Sequence, residues 1–88
     1  MGRVRFQFRH GPARAVAVAG DFNGWDVTAH PMQHMADGPW ILELDLSPGR
    51  YEFKFFVHGE GWTEWWNDPN APKVPNMWGS ENSYVDVR

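Results

Sequence analysis

The sequence predicts an all-β domain, a two-layer β-sandwich of immunoglobulin-like architecture. Three observations predict it. Short segments of alternating apolar and polar residues recur along the chain at regular spacing. Turn-forming clusters rich in Gly, Pro, Asp and Asn separate them. No stretch carries the periodicity of an amphipathic helix. Alternating strands at this density bury one face each, and two sheets packed face to face satisfy that demand.

The elements follow in order. Arg3–Arg9 alternates strictly, with Val4, Phe6 and Phe8 on one face and Arg3, Arg5, Gln7 and Arg9 on the other; this is the pattern of a half-buried strand. Gly11-Pro12 breaks it. Ala15–Ala19 is a second strand, with Val16 and Val18 sharing a face. Gly20–Trp25 (GDFNGW) is a loop of turn formers. Met32–Met35 reads as a short strand, and Asp37-Gly38 as a hairpin turn. Trp40–Leu46 points Trp40, Leu42, Leu44 and Leu46 inward, and Ser47-Pro48-Gly49 turns the chain. Arg50–Val57 is the clearest strand: Tyr51, Phe53, Phe55 and Val57 share one face, and Glu52, Lys54, Phe56 and His58 the other. From His58 to Ser80 the alternation dissolves among Gly59, Gly61, Pro69, Pro72, Pro75 and Gly79, with four of the six tryptophans. A long irregular segment in a compact domain is functional or disordered, and disordered chain is poor in aromatics, so the sequence predicts a functional loop. Ser83–Arg88 closes as a strand with Val85 and Val87 inward. There are no internal repeats and no low-complexity tracts.

Composition narrows the function. The 88 residues suit a single module spanning 1–88. The chain starts at Met1 and finishes on its last strand, as a whole protein or a cleanly cut module would. No cysteine is present, so there is no disulfide framework and no thiolate metal site; a cytoplasmic location fits. No apolar run has the length of a membrane span, and no signal-peptide core stands at the N-terminus. The net charge of -3 is a poor footprint for nucleic acid. The unusual figure is the aromatic share of 16%, with six tryptophans. A small core has no use for six indoles, so some are exposed contact surface.

Catalytic and metal chemistry find little support. Asp21 and Asp68, weighed as a carboxylate pair, each sit among turn formers, Gly-Asp-Phe-Asn and Asn-Asp-Pro-Asn, where an Asx-turn role is expected. His10, His30, His34 and His58 lack a metal-ligand spacing, and Pro31 interrupts the His30/His34 pair. No enzyme activity, cofactor or metal is expected.

Five segments in order carry a resemblance: Gly20-Asp21-Phe22-Asn23-Gly24-Trp25; Asp37-Gly38-Pro39-Trp40; Pro48–Gly59; Asp68-Pro69; and Gly79-Ser80-Glu81-Asn82-Ser83. Together they resemble the glycogen-binding carbohydrate-binding module of family forty-eight. That module occurs in the AMP-activated kinase β-subunit and as the N-terminal early-set domain of isoamylases, branching enzymes and pullulanases. The resemblance runs from Ala15 to Val87. It implies an early-set immunoglobulin-like sandwich that binds α-1,4-linked glucan. It also implies roles. Trp25 matches the first sugar-stacking tryptophan, Lys54 a lysine that bonds glucose hydroxyls, Trp65 the second stacking tryptophan, and Asn82 an asparagine that bonds sugar hydroxyls. Trp78 stands where the kinase-type module has a leucine that reaches into the helical glucan. Between Gly59 and Asp68 this chain is longer than the family pattern and holds Trp62, Trp65 and Trp66. Many early-set domains of amylolytic enzymes keep the fold and bind no sugar.

The residues support the same chemistry on their own. A pyranose presents an apolar face of C–H groups and a rim of hydroxyls, so it needs a flat platform plus donors and acceptors at the edge. Tryptophan is the largest platform and is cheap to order. Covering about 100 Å² at about 25 cal/mol/Å² gives roughly 2.5 kcal/mol per platform, against an association cost of about 4 kcal/mol or more. Two or three platforms on one surface are therefore required. Lys54 supplies donors, and Asn82 supplies both donors and an acceptor. Trp25 sits at a loop tip. Trp65 and Trp66 are adjacent, so one faces in and the other out, with Trp65 favoured as the outward one. Trp62 suits a cap on the sandwich, and Trp40 suits the core. The partner predicted is α-glucan polysaccharide or maltooligosaccharide. The competing reading is an early-set domain that binds no sugar and packs its aromatics on a glycoside hydrolase or kinase partner.

Overall fold

A computed structural model describes residues 2–9 and 11–88. Met1, and His10 with its place among the histidines weighed as ligands, lie outside the described residues. Among the described residues eight strands form two antiparallel sheets: β1 Gly2–Phe8, β2 Ala15–Gly20, β3 Gln33–His34, β4 Trp40–Leu46, β5 Gly49–Gly59, β6 Trp62–Trp66, β7 Lys73–Pro75 and β8 Glu81–Val87. A 3₁₀ turn, Asp21–Asn23, follows β2. No helix among the described residues is long and apolar enough to cross a membrane.

The small sheet has the order β1-β4-β3, and the large one β2-β5-β8-β7 with β6 also on β5. The long strand β5 is the spine. One of its edges takes β2 along Phe53–His58. The opposite edge takes β8 along Gly49–Phe53 and β6 along Phe55–Gly59, end to end. The register sets Phe56 opposite both Ala17 and Trp65, and Lys54 opposite Ala19. Directly paired residues project to the same side of a sheet. Glu52, Lys54, Phe56, Trp65, Tyr84 and Asn82 therefore share the outer face.

The inner faces meet in a core of Phe6, Phe8, Val16, Val18, Met32, Phe53, Phe55 and Val57. Phe6 packs edge-on to Phe53 at 4.8 Å, and Phe8 to Phe55 at 5.2 Å, the arrangement favoured by the ring quadrupoles. Val4, Trp40, Leu42, Leu44 and Val85 pack against this cluster while half-buried, as the alternation predicts. On β2 both faces are buried, not one: Ala17 and Ala19 are covered as well, being short side chains beside Phe56 and Lys54. Met32 and its neighbours join the sheets. Val18 N–H donates to the His30 carbonyl and Met32 N–H to that of Val16 along the edge of β2, and the chain then crosses to β3.

The segment His58–Ser80 corrects the sequence reading. It is not irregular throughout: Trp62–Trp66 pairs with β5, and Lys73–Pro75 with β8. The β5–β6 hairpin closes on Glu60-Gly61, where Gly61 takes φ 79°, a value that glycine adopts without a Cβ penalty. Ser83, fully buried, ties down the chain beyond β6: its Oγ accepts from Asp68 N–H at 2.8 Å and donates to Asn67 Oδ1 at 2.8 Å.

Candidate carbohydrate-binding site

The outer face of the large sheet carries an open groove of ≈ 540 Å³. Trp25, Lys54, Trp65, Trp78 and Asn82, the five residues singled out in the sequence, all line it, together with Asn76 and Ser80. They come from four places: the loop after β2, the middle of β5, β6, and the β7–β8 connection with the start of β8.

Trp25 is held in an uncommon backbone conformation. Its φ is 60°, directly after Gly24 at φ 66°, and a left-handed bulky residue is a strained one. Three bonds maintain it. Trp25 N–H donates to the Gly20 carbonyl at 2.9 Å. The indole Nε1 donates to Asp21 Oδ1 at 3.1 Å. The other Asp21 oxygen accepts from Glu52 N–H on β5 at 2.8 Å. Asp21 is thus a brace between loop and sheet, not the local Asx turn that its sequence context suggests. The loop's internal bond comes from Asn23, whose Oδ1 accepts from Gly20 N–H at 3.1 Å and whose Nδ2 donates to the Val18 carbonyl at 3.0 Å. Gly20 is required because a Cβ there would overlap the Glu52 carbonyl. Beyond Trp25, Thr28 donates its side-chain hydroxyl and its backbone N–H to Asp26, which holds the Asp26 carboxyl below the usual aspartate range. Asp68 does form the predicted turn, accepting from Asn70 N–H at 2.9 Å.

Trp65 and Trp66 point to opposite sides of β6. Trp66 faces in, edge-on to Phe8 at 6.1 Å. Trp65 faces out, 4.8 Å from Phe56 and 6.3 Å from Trp25, tilted by 60° to the latter. Phe56 therefore floors the Trp65 platform, a role the sequence alone did not assign it. Trp62 lies away from the groove against Gly59, where a methyl group would overlap its ring. That fits a cap on the hairpin.

Trp78 stands at the tip of the β7–β8 connection, 84% exposed beside Met77 at 88%. Asn76 builds that tip: its Oδ1 accepts from Trp78 N–H at 2.9 Å and Ser80 N–H at 3.1 Å. Its Nδ2 donates to Asn82 Oδ1 at 2.9 Å. Asn82 Nδ2 donates in turn to Glu52 Oε1 at 3.0 Å. Lys54 Nζ reaches Ser80 Oγ only at 3.5 Å, a weak bond, so most of its donor capacity faces the groove. Sequence reading missed Asn76 and Ser80. The usable signal for Asn76 was its place two residues before Trp78, the spacing of an Asx turn.

Two tryptophans tilted to each other and an exposed third border the groove, with an ammonium and an amide at its rim, the kind of apolar platform with convergent polar groups that suits a sugar ring. Over residues 3–88 the chain matches the family described as the glycogen recognition site of AMP-activated protein kinase. The chain belongs to that family. It is a carbohydrate-binding module. It is 42% identical over 76 residues to a rice protein, Protein FLOURY ENDOSPERM 6, chloroplastic (Oryza sativa subsp. japonica), covering 86% of this chain and 13% of that one. It is 31% identical over 78 residues to the 5'-AMP-activated protein kinase subunit beta-1 of human and of cattle, covering 89% of this chain and 26% of theirs. The module thus spans about a quarter or less of these relatives.

Proposed function

We propose that residues 1–88 act as one non-catalytic module that binds α-1,4-linked glucan, as glycogen, starch or maltooligosaccharide. The convergence of Trp25, Lys54, Trp65, Trp78 and Asn82 on a single groove carries the reading. Trp25 and Trp65 stack on successive sugar rings, and their 60° tilt suits a chain that curves as it advances. Trp78 projects as a blade against the inside of that curve. Lys54 donates to ring hydroxyls, and Asn82 offers the amide hydrogen and carbonyl lone pair that Glu52 and Asn76 leave free. A neutral ligand agrees with the mild net charge of -3. No residue of the groove is assigned to bond breaking, and no cofactor enters. The cytoplasm is the proposed location, a reducing compartment in which a cysteine-free chain loses nothing.

The test is affinity electrophoresis in gels containing glycogen, amylose or cellulose, with β-cyclodextrin as soluble competitor. Retention by glycogen and amylose, relieved by cyclodextrin, and free migration in cellulose are expected. Equal retention in cellulose overturns the linkage assignment. No retention in any gel turns the face over to the competing reading, a protein contact with a glycoside hydrolase or kinase partner.

A further inference from the structure

Trp78 has a second groove on its other side. This groove of ≈ 340 Å³ is bordered by Asp21, Glu52 and Met77, and it shares Trp25, Asn76, Trp78 and Asn82 with the first. A sugar chain leaving the first groove over Trp25 or around Trp78 enters the second without leaving the protein surface. The two differ in chemistry: the first offers the Lys54 ammonium, the second carboxylates.

Glu52 is the informative member. It lies on the outer face of β5 two residues before Lys54, half-buried. Its Oε1 accepts from Asn82 Nδ2 at 3.0 Å, which fixes the carboxylate in place. Among the described residues no cation pairs with it. Lys54 turns to Ser80 instead. Arg50 lies within reach of its field, but that guanidinium is engaged by Asp86 through bonds of 2.8 and 3.2 Å. Held by Asn82 and without a cation among the described residues, the Glu52 carboxylate is a strong acceptor with lone pairs to spare for sugar hydroxyls, and O–H donors bond to a carboxylate more strongly than to a neutral oxygen.

We infer that Glu52 is a sugar-binding residue of a second subsite, taking the hydroxyl edge of glucose units that lie beyond Trp78. The inference rests on the α-glucan reading of the first groove and adds to it a dependence on ligand length. Short chains fill the first groove alone. Longer chains reach Glu52 and Met77.

The experiment measures maltotriose and maltoheptaose binding by calorimetry for the parent chain, Glu52→Gln and Met77→Ala. Gln retains an acceptor for Asn82 and removes the charge. Met77 is almost wholly exposed, so its truncation leaves folding intact and shortens only the second groove. The expected result is a maltoheptaose Kd raised about five- to tenfold by Glu52→Gln, the scale of turning a charge-assisted hydrogen bond into a neutral one. Met77→Ala should raise it about twofold to fivefold, a modest apolar contact, with maltotriose affinity within about twofold of the parent for both variants, inside the ordinary scatter of such contacts. Equal losses for both sugars make Glu52 a support for Asn82 and overturn the inference, as does a lack of effect on either sugar. A parent chain that binds neither sugar removes the α-glucan reading itself, and this inference with it.

Discussion

Asp21 grips Trp25 and strand β5 with its two carboxylate oxygens, accepting from the indole Nε1 at 3.1 Å and from Glu52 N–H at 2.8 Å. The orientation of the first platform is therefore referenced to the sheet that carries Lys54. A loop tip alone would leave the indole free to rotate, and a mobile platform loses affinity to side-chain ordering.

Asp21→Ala should accordingly weaken β-cyclodextrin binding by roughly 1 kcal/mol, the cost of ordering a released side chain, while Trp25 itself is untouched. Asp21→Asn keeps an acceptor for one of the two bonds and should recover part of the loss. Titration by tryptophan fluorescence checks both. Parent-like affinity for Asp21→Ala would show that sugar binding orients the indole unaided.

The tryptophans should separate into two classes. Trp25→Ala, Trp65→Ala and Trp78→Ala should each lose at least about 1 kcal/mol of glucan affinity, by analogy with base–aromatic stacking, with small changes in melting temperature. Trp66 packs on Phe8 and Trp40 on the core and on His34, with ring centroids 4.4 Å apart. Their Ala variants should cost about 2–4 kcal/mol of stability, somewhat below a fully buried aromatic because both are half-buried. Thermal melts paired with cyclodextrin titrations decide it. A Trp65→Ala variant that melts early and binds normally would reverse the assignment.

Lys54→Ala should weaken binding by about 1–2 kcal/mol, the range for losing hydrogen bonds from a charged donor. Among the described residues its only protein bond is the long one to Ser80, so the melting temperature should hold. Affinity of the parent should be nearly flat between low and moderate salt, since a neutral sugar releases no counterions. A steep loss with salt in an isothermal titration series would point to an anionic ligand.

Gly59→Ala should disturb the β5–β6 hairpin, because the new methyl group would overlap the Trp62 ring. Displacing that ring exposes the end of the hairpin and shifts Trp65, which is three residues further along the same strand. Lowered stability and weakened cyclodextrin binding together are expected; the double variant Gly59→Ala/Trp62→Ala should regain part of the stability. Failure of the second change to help would place the strain in the backbone instead.

The inner faces were legible because burial writes a period of two into a strand. Phe6, Phe8, Phe53, Phe55 and Val57 show that period, and each is buried. The split between Trp65 and Trp66 follows from the same rule. Strand β6 was not legible, and the reason is physical. Trp62–Trp66 lies at the end of the sandwich on one edge of β5, so only Trp66 meets the core and no alternating pattern is imposed on Trp62, Thr63 and Glu64. The strand's pairing rests on backbone hydrogen bonds to β5 and on single aromatic contacts, Trp65 with Phe56 and Trp66 with Phe8, which write no period into the sequence.

The sequence by itself determined the layered β architecture, the family, and the five residues on which sugar binding is proposed to turn. Composition and motif carry that information locally, one side chain at a time. Only the tertiary structure decided that the five share one groove. It also decided that Phe56 backs Trp65, that Asn76 shapes the Trp78 tip, and that Asp21 braces Trp25 instead of closing its own turn. Phe56 meets Trp65 through strand register, Asp21 reaches from its loop to Glu52 on the sheet, and Asn76 is tied across the β7–β8 connection to Asn82. Such contacts leave no periodicity in the sequence, because a side chain's partner across a sheet is set by how the strands pair.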